Sequence, residues 1–229
     1  MEKEYITSDC HFWHKNIIKF CGRPFEFSDA GVDRMNEVIL KSFDDVPDEK
    51  GITIWNLGDV FFGKAVNDKT FEELKVFVDR MKGKNRKLNL ILGNHDREAF
   101  KRMPVATVGY ESLTDFFRAL GFDFVSLYPI IKEDKYILSH EPIYLPWESR
   151  FRNIYGHTHD KCVDKNYFTH DYATWEAACR KAHEEGKPEP ELTIDFPTKT
   201  VDTLMYYNAC LDANTGYILS YEAIKKQVR

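Results

Sequence analysis

The sequence predicts an α/β protein, and three observations carry that expectation. Short β-branched and aromatic runs alternate with stretches of helical periodicity through the amino-terminal half. Those runs stop at small or polar residues, namely Ser8-Asp9, Gly58-Asp59 and Gly93-Asn94. The chain has 229 residues, 43% of them hydrophobic, which suffices for one domain with a substantial core.

Tyr5-Ile6-Thr7 reads as the first strand, and Val32, Met35, Ile39 and Phe43 then recur at helical spacing. Ile52-Thr53-Ile54-Trp55-Asn56-Leu57 is a second strand. Thr70-Phe71-Glu72-Glu73 resembles a capping box, and Phe71, Leu74, Phe77, Val78 and Met81 give the helix after it one apolar face. Arg86 to Leu92 forms a third strand that runs into a tight turn, Gly93-Asn94-His95-Asp96. A helix over Leu113 to Leu120 and strands at Phe122 to Leu127, Tyr136 to Leu138, Asn153 to Tyr155 and Met205 to Leu211 extend the pattern.

Residues 162–203 break this rhythm. Trp175, Ala178, Cys179 and Ala182 share a helical face, and the breaker-rich Gly186-Lys187-Pro188-Glu189-Pro190-Glu191 follows. The segment is expected to be an insertion, a lid or an assembly element through which the chain could pair as a homo-oligomer, inside a single domain spanning 1–229.

Composition excludes several classes. Five cysteines form an odd set without a Cys-x-x-Cys pair, which predicts free thiols in a reducing compartment. Met1-Glu2-Lys3-Glu4 is too charged to open a signal peptide, and no apolar run approaches the ~20 residues of a spanning helix, so a soluble cytoplasmic protein is expected. A formal charge of −5 and a pI near 5.9 leave no basic footprint for extended nucleic acid. The cluster Lys82, Lys84, Arg86 and Lys87 reads as a solvated turn. Any anion site is therefore expected to be built from bound metal.

Five motifs could build one: Asp9-Cys10-His11, Gly58-Asp59, Gly93-Asn94-His95-Asp96, Ser139-His140-Glu141 and Gly156-His157-Thr158-His159. Each falls where a strand stops, and open α/β sheets bind ligands beyond the carboxyl ends of their strands. Nitrogen and oxygen donors of this kind suit two divalent ions, Mn²⁺ above all, with Fe, Ni²⁺ or Zn²⁺ as alternatives. Asp-x-His and His-x-His at strand ends should send alternate side chains to one side, toward a shared cavity. Two dications about 3.5–4 Å apart can clamp a phosphate and support attack by a bridging hydroxide. The neutral Asn94, in place of a further carboxylate, preserves their pull on an anion. His95 is expected to protonate the leaving oxygen or to brace the phosphate, with Asp96 orienting it.

In this order the motifs resemble those of the calcineurin-like metallophosphoesterase superfamily. The likeness covers roughly residues 5 to 160 and resumes at Tyr207-Asn208-Ala209-Cys210-Leu211-Asp212 and Tyr221-Glu222-Ala223-Ile224. It implies a four-layer α/β/β/α sandwich in which Asp9, His11 and His159 hold one metal, Asn94, His140 and His157 hold the other, and Asp59 bridges both. Asp96 in place of Glu, and no Asp-Arg-Gly after Gly58-Asp59, look unlike the serine/threonine protein phosphatases. Asp9-Cys10-His11-Phe12-Trp13-His14 and Cys21-Gly22-Arg23-Pro24-Phe25 look more like a small bacterial and bacteriophage phosphoesterase group.

The expected activity is a metal-dependent phosphodiesterase acting on a small nucleotide or cyclic nucleotide. A phosphomonoesterase, a metal-dependent nuclease and a non-catalytic scaffold of the same fold are the alternatives. His14, Arg97 and Arg23 are candidate substrate contacts, and Tyr144 and Trp147 could stack on a base, although core packing explains the two aromatics better. His170 and His183 read as surface residues, and a zinc site using Cys10 and Cys162 lacks paired spacing.

Overall fold

The computed structural model describes residues 3–66, 68–101, 109–146, 149–161, 163, 205–214, 216 and 218–228. The 162–203 segment, apart from Val163, lies outside them, as do Trp147, Cys162, Cys179, His170 and His183.

Two sheets flanked by helices form an α/β sandwich. The first carries the parallel strands β1 (Lys3–Thr7), β2 (Ile52–Asn56), β3 (Lys87–Ile91) and β4 (Phe124–Ser126), with β9 (Leu219–Ser220) antiparallel to β1, in the order β4-β3-β2-β1-β9. The second is ordered β5-β6-β7-β8, from β5 (Ile130–Lys132), β6 (Tyr136–Leu138), β7 (Arg152–Tyr155) and β8 (Tyr206–Asn208); β5 alone runs antiparallel to its neighbour.

β2 is buried along its whole length because its sheet is covered on both faces. Ile54, Leu88 and Leu90 meet the helices, whereas Ile6, Trp55 and Ile91 face Leu138 and Ile154 of the second sheet. Tyr155, Tyr206, Leu145, Val163 and Met205 form a third cluster.

The helical face of Val32, Met35, Ile39 and Phe43 belongs to α2 (Asp29–Asp44), opened by Ser28 as N-cap. α4 (Phe71–Lys82) begins at the expected capping box, in which the Thr70 N–H donates to Glu73 Oε2 at 2.7 Å and the Glu73 N–H to Thr70 Oγ1 at 3.2 Å. α6 (Leu113–Leu120) has the predicted bounds. The predicted turn at residues 93–96 is instead the start of α5 (Asn94–Lys101), with Gly93 as the hinge between strand and helix. Periodicity did not reveal α1 (Ile17–Phe20), α3 (Gly63–Val66), β5, β9 or the final helix α7 (Tyr221–Lys225), each too short to show a period.

The basic cluster after α4 is not a solvated turn throughout. Arg86 is buried, and its guanidinium donates to the carbonyls of Lys82 (2.9 Å), Phe43 (2.7 Å), Met81 (3.1 Å) and Val46, which closes the carboxyl ends of α2 and α4 together. Arg86→Met leaves those acceptors without donors and is expected to cost about 2–3 kcal/mol. Arg86→Lys should recover only part, because an ammonium cannot fork to four carbonyls. Urea unfolding checks both, as a lower midpoint at unchanged m.

Candidate metal centre

The carboxyl ends of β1, β2, β3, β6, β7 and β8 all reach one rim where the two sheets meet. Beyond β1 and β2 the chains continue side by side: the Asp9 N–H donates to Gly58 O, His11 N–H to Asp59 O and Phe12 N–H to Val60 O, each at 2.9 Å. The two sheets are joined there by a bridge between Ser8 and Cys210.

The expected strand alternation is not what aims the ligands. Asp9 (φ 60°), His11 (52°), Asp59 (53°), His157 (71°) and His159 (53°) all take left-handed backbone, beyond the strand ends. That region is unfavourable for a residue with a Cβ, and about 1–3 kcal/mol of strain at each is the usual scale. Its effect is to turn consecutive side chains out of the pleat and into one cavity.

Glycine makes room for them. A Cβ on Gly93 would lie 2.1 Å from Asp59 Oδ1, and one on Gly156 would lie 2.0 Å from Ser8 Oγ and 2.6 Å from Asp9 Oδ2. Bare backbone at both points lets the two carboxylates pack against the neighbouring strand end.

Each carboxylate is held through one oxygen by an N–H group and turns the other toward imidazole rings. Asp9 Oδ2 accepts from the His157 N–H and from Cys210 Sγ–H, both at 2.9 Å. Its Oδ1 is buried without a hydrogen bond, as is His11 Nε2, 3.6 Å away. Asp59 Oδ1 accepts from the His95 N–H at 2.8 Å. Its Oδ2 sits between two rings, 3.6 Å from His11 Nε2 and 3.5 Å from His140 Nε2.

On the far side of Asp59, Asn94 Oδ1 lies 3.0 Å from His140 Nε2 and 3.1 Å from His157 Nδ1. His140 Nδ1 faces the Leu57 carbonyl at 2.9 Å, so it carries a proton there and leaves Nε2 turned toward the two oxygens. Nitrogen and oxygen ligand atoms thus converge on one cavity. Asp9, His11 and His159 can hold a metal ion, as can Asp59, His140 and His157. The buried, partnerless atoms fit that purpose.

The electrostatics point the same way. Burial opposes the Asp9 charge, but His11, His140 and His159 outweigh it and hold the carboxyl well below its usual range. Asp59 is likewise pulled down to about 2 against its burial, chiefly by His140. His140 is pushed up to about 9 by Asp59 despite burial, and His159 to about 10 by its bond to Asp212. Burial lowers His11 and His157. The cavity requires positive charge, which bound cations would supply in place of protons.

Four of the expected residues meet other partners in the structure. Asp96 does not reach the His95 ring; fully buried, it accepts from the N–H groups of Asp59 (2.8 Å), Val60 (3.0 Å) and Gly93 (3.0 Å), and so braces the Asp59 loop. Arg23 is buried and fully engaged with Asp212 and the carbonyls of Asp9 and Cys10, which leaves no fork for a phosphate. Arg97 donates to the carbonyls of Leu92 (3.4 Å) and Leu127 (3.1 Å). His14 lies behind the site, stacked on Phe62 at 3.8 Å with Nδ1 3.4 Å from His11 Nδ1, and burial beside His11 pushes it down to about 3.

His95 does stand at the cavity, with its ring centroid 5.0 Å from that of His11. Its Nδ1 makes no hydrogen bond, with Glu98 Oε2 at 3.6 Å. Tyr144 is at the surface. Cys210, Asp212 and Glu98 were not among the expected site residues, although Asp212 follows the end of β8 as the other site residues follow their strands.

A sequence model of the calcineurin-like phosphoesterases matches residues 5–194. The chain belongs to that family. A calcineurin-like phosphoesterase with these donor groups is supported as a metal-dependent phosphoesterase. The chain is 35% identical over 111 residues to MJ1445, an uncharacterized protein of Methanocaldococcus jannaschii, a match covering 48% of this chain and 56% of that protein. It thus spans little more than half the length of the curated relative it matches. A solved structure of AQ665, a protein of unknown function from Aquifex aeolicus, aligns over 98% of both chains at 19% identity with a TM-score of 0.49. Among the described residues, no helix is long and apolar enough to cross a membrane.

Asp96→Asn puts an amide NH₂ where backbone N–H groups now point. It is expected to cost about 1–3 kcal/mol of stability, read from denaturant unfolding of chelator-treated protein. A role confined to orienting His95 would leave that stability unchanged.

Proposed function

We propose that the protein is a dinuclear-metal phosphohydrolase, acting as a phosphodiesterase on a small nucleotide-like substrate. The observation that carries the reading is Asp59 Oδ2, 3.6 Å from His11 Nε2 and 3.5 Å from His140 Nε2, between two sets of donors. Asp9, His11 and His159 would hold one ion; Asn94, His140 and His157 the other; Asp59 would serve both. Bound divalent ions, with Mn²⁺ suited to nitrogen and oxygen donors, supply charge that polarises the phosphate and acidifies water.

The chain's own residues do the rest. His95, partly exposed at the rim, gives a proton to the leaving oxygen from a ring 5.0 Å from His11. Asp96 keeps the Asp59 loop in place through three backbone bonds. Phe62 and His14 close the cavity behind His95, whose ring lies 5.5 Å from that of Phe62. The formal charge of −5 favours a small anion over a polymer. Buried donors left without partners favour an enzyme over a scaffold, since a protein relieved of metal binding gains by losing them.

Chelator-treated protein should be inactive on cyclic nucleotides, dinucleotides and aryl phosphodiesters, and Mn²⁺ should restore turnover. No metal-dependent turnover on any of them would sink the reading. Asp59→Asn is expected to abolish activity. His95→Gln should lower kcat about 10²–10⁴-fold on alkyl leaving groups and far less on p-nitrophenolate, which departs without a proton. An equal loss on both would remove His95 from the proton-donor role.

A further inference from the structure

The turn after β8 supplies two side chains to the same rim, and neither reaches the cavity. Asp212 is partly buried between Arg23 and His159. It accepts from Arg23 Nε at 2.7 Å and Nη2 at 2.9 Å, and its Oδ2 lies 2.8 Å from His159 Nδ1. The arrangement holds a proton on His159 Nδ1 and leaves Nε2 as the nitrogen a metal ion would use. Cys210 is buried, and its Sγ–H donates to Asp9 Oδ2 at 2.9 Å, leaving Oδ1 toward the cavity.

We propose that Asp212 and Cys210 are positioning residues for one of the two metal positions, the one formed by Asp9, His11 and His159, and not for the other. The inference rests on the dinuclear reading above. Carboxylate and donor partners behind metal ligands fix ring orientation and ligand basicity, and their loss commonly costs about 10–100-fold in metal affinity. Both partners act here on one side of Asp59. His140, on the other side, is oriented by the Leu57 carbonyl instead, at 2.9 Å. Arg23 completes the unit: its Nη2 donates to the Asp9 carbonyl at 2.8 Å and its Nη1 to that of Cys10 at 3.0 Å, linking Asp212 to the loop that presents Asp9 and His11.

The test is calorimetric titration of chelator-stripped protein with Mn²⁺ alone. The wild type is expected to show two binding events. Asp212→Asn keeps the shape but removes the charge behind His159, and should weaken one event about 10–100-fold while leaving the other unchanged. Cys210→Ala should weaken the same event, and Cys210→Ser, which returns a donor to Asp9, should restore it. Should Asp212→Asn fail to fold by circular dichroism, Arg23→Gln/Asp212→Asn removes the unpaired cation, and Cys210→Ala gives an independent comparison. Two unchanged events in Asp212→Asn and Cys210→Ala would overturn the inference alone. Equal weakening of both events would show a merely structural role and overturn it too. No Mn²⁺ uptake by the wild type would overturn the dinuclear reading itself.

Discussion

Two buried carboxylates, each restrained through one oxygen with the other turned toward imidazole rings, set the terms for the rest of the molecule. Asp9 is fixed by His157 N–H and Cys210 Sγ–H, and Asp59 by His95 N–H. An anionic oxygen left unpaired in an apolar interior is expensive, so the structure around it has to be rigid and eventually has to admit a cation. Both demands are met at the rim. Asp96 spends a whole carboxylate on three backbone donors to hold the Asp59 loop, and Arg23 spends a whole guanidinium on Asp212 and two carbonyls.

The left-handed residues belong to the same account. Five of the proposed ligands have positive φ, and such strain persists only where the surroundings over-determine it. Here the over-determination comes from paired strand extensions at 2.9 Å and from glycines on the facing strand ends. Rigidity in the sheets thus supports distortion at their edge, and distortion at the edge brings donors from both sheets to one point.

The long elements were legible in the sequence because periodicity and capping act locally. α2, α4 and α6 lay where apolar spacing and the Thr70–Glu73 box put them. So did the central strands, and the cavity residues were named because aspartate, asparagine and histidine recur at strand ends. What escaped was direction. Nothing in Asn94-His95-Asp96 tells that Asp96 turns inward to Asp59 and Val60, or that Arg23 faces Asp212 across 189 residues. Those choices depend on where unpaired backbone donors and buried charges remain after the sheets have packed, a tertiary matter invisible to local pattern. Arg86 illustrates it: a charge run in sequence, yet a common cap for two helices in space.

The bond from Cys210 to Asp9 joins residues 201 positions apart. During synthesis the amino-terminal strands, with Asp9, Asp59 and Asn94, leave the ribosome long before the turn after β8 exists. A nascent chain therefore holds Asp9 without its thiol donor and cannot yet have His159 braced by Asp212. On the proposed reading, the full bracing of Asp9 and His159 has to wait until the chain through residue 212 is free to fold.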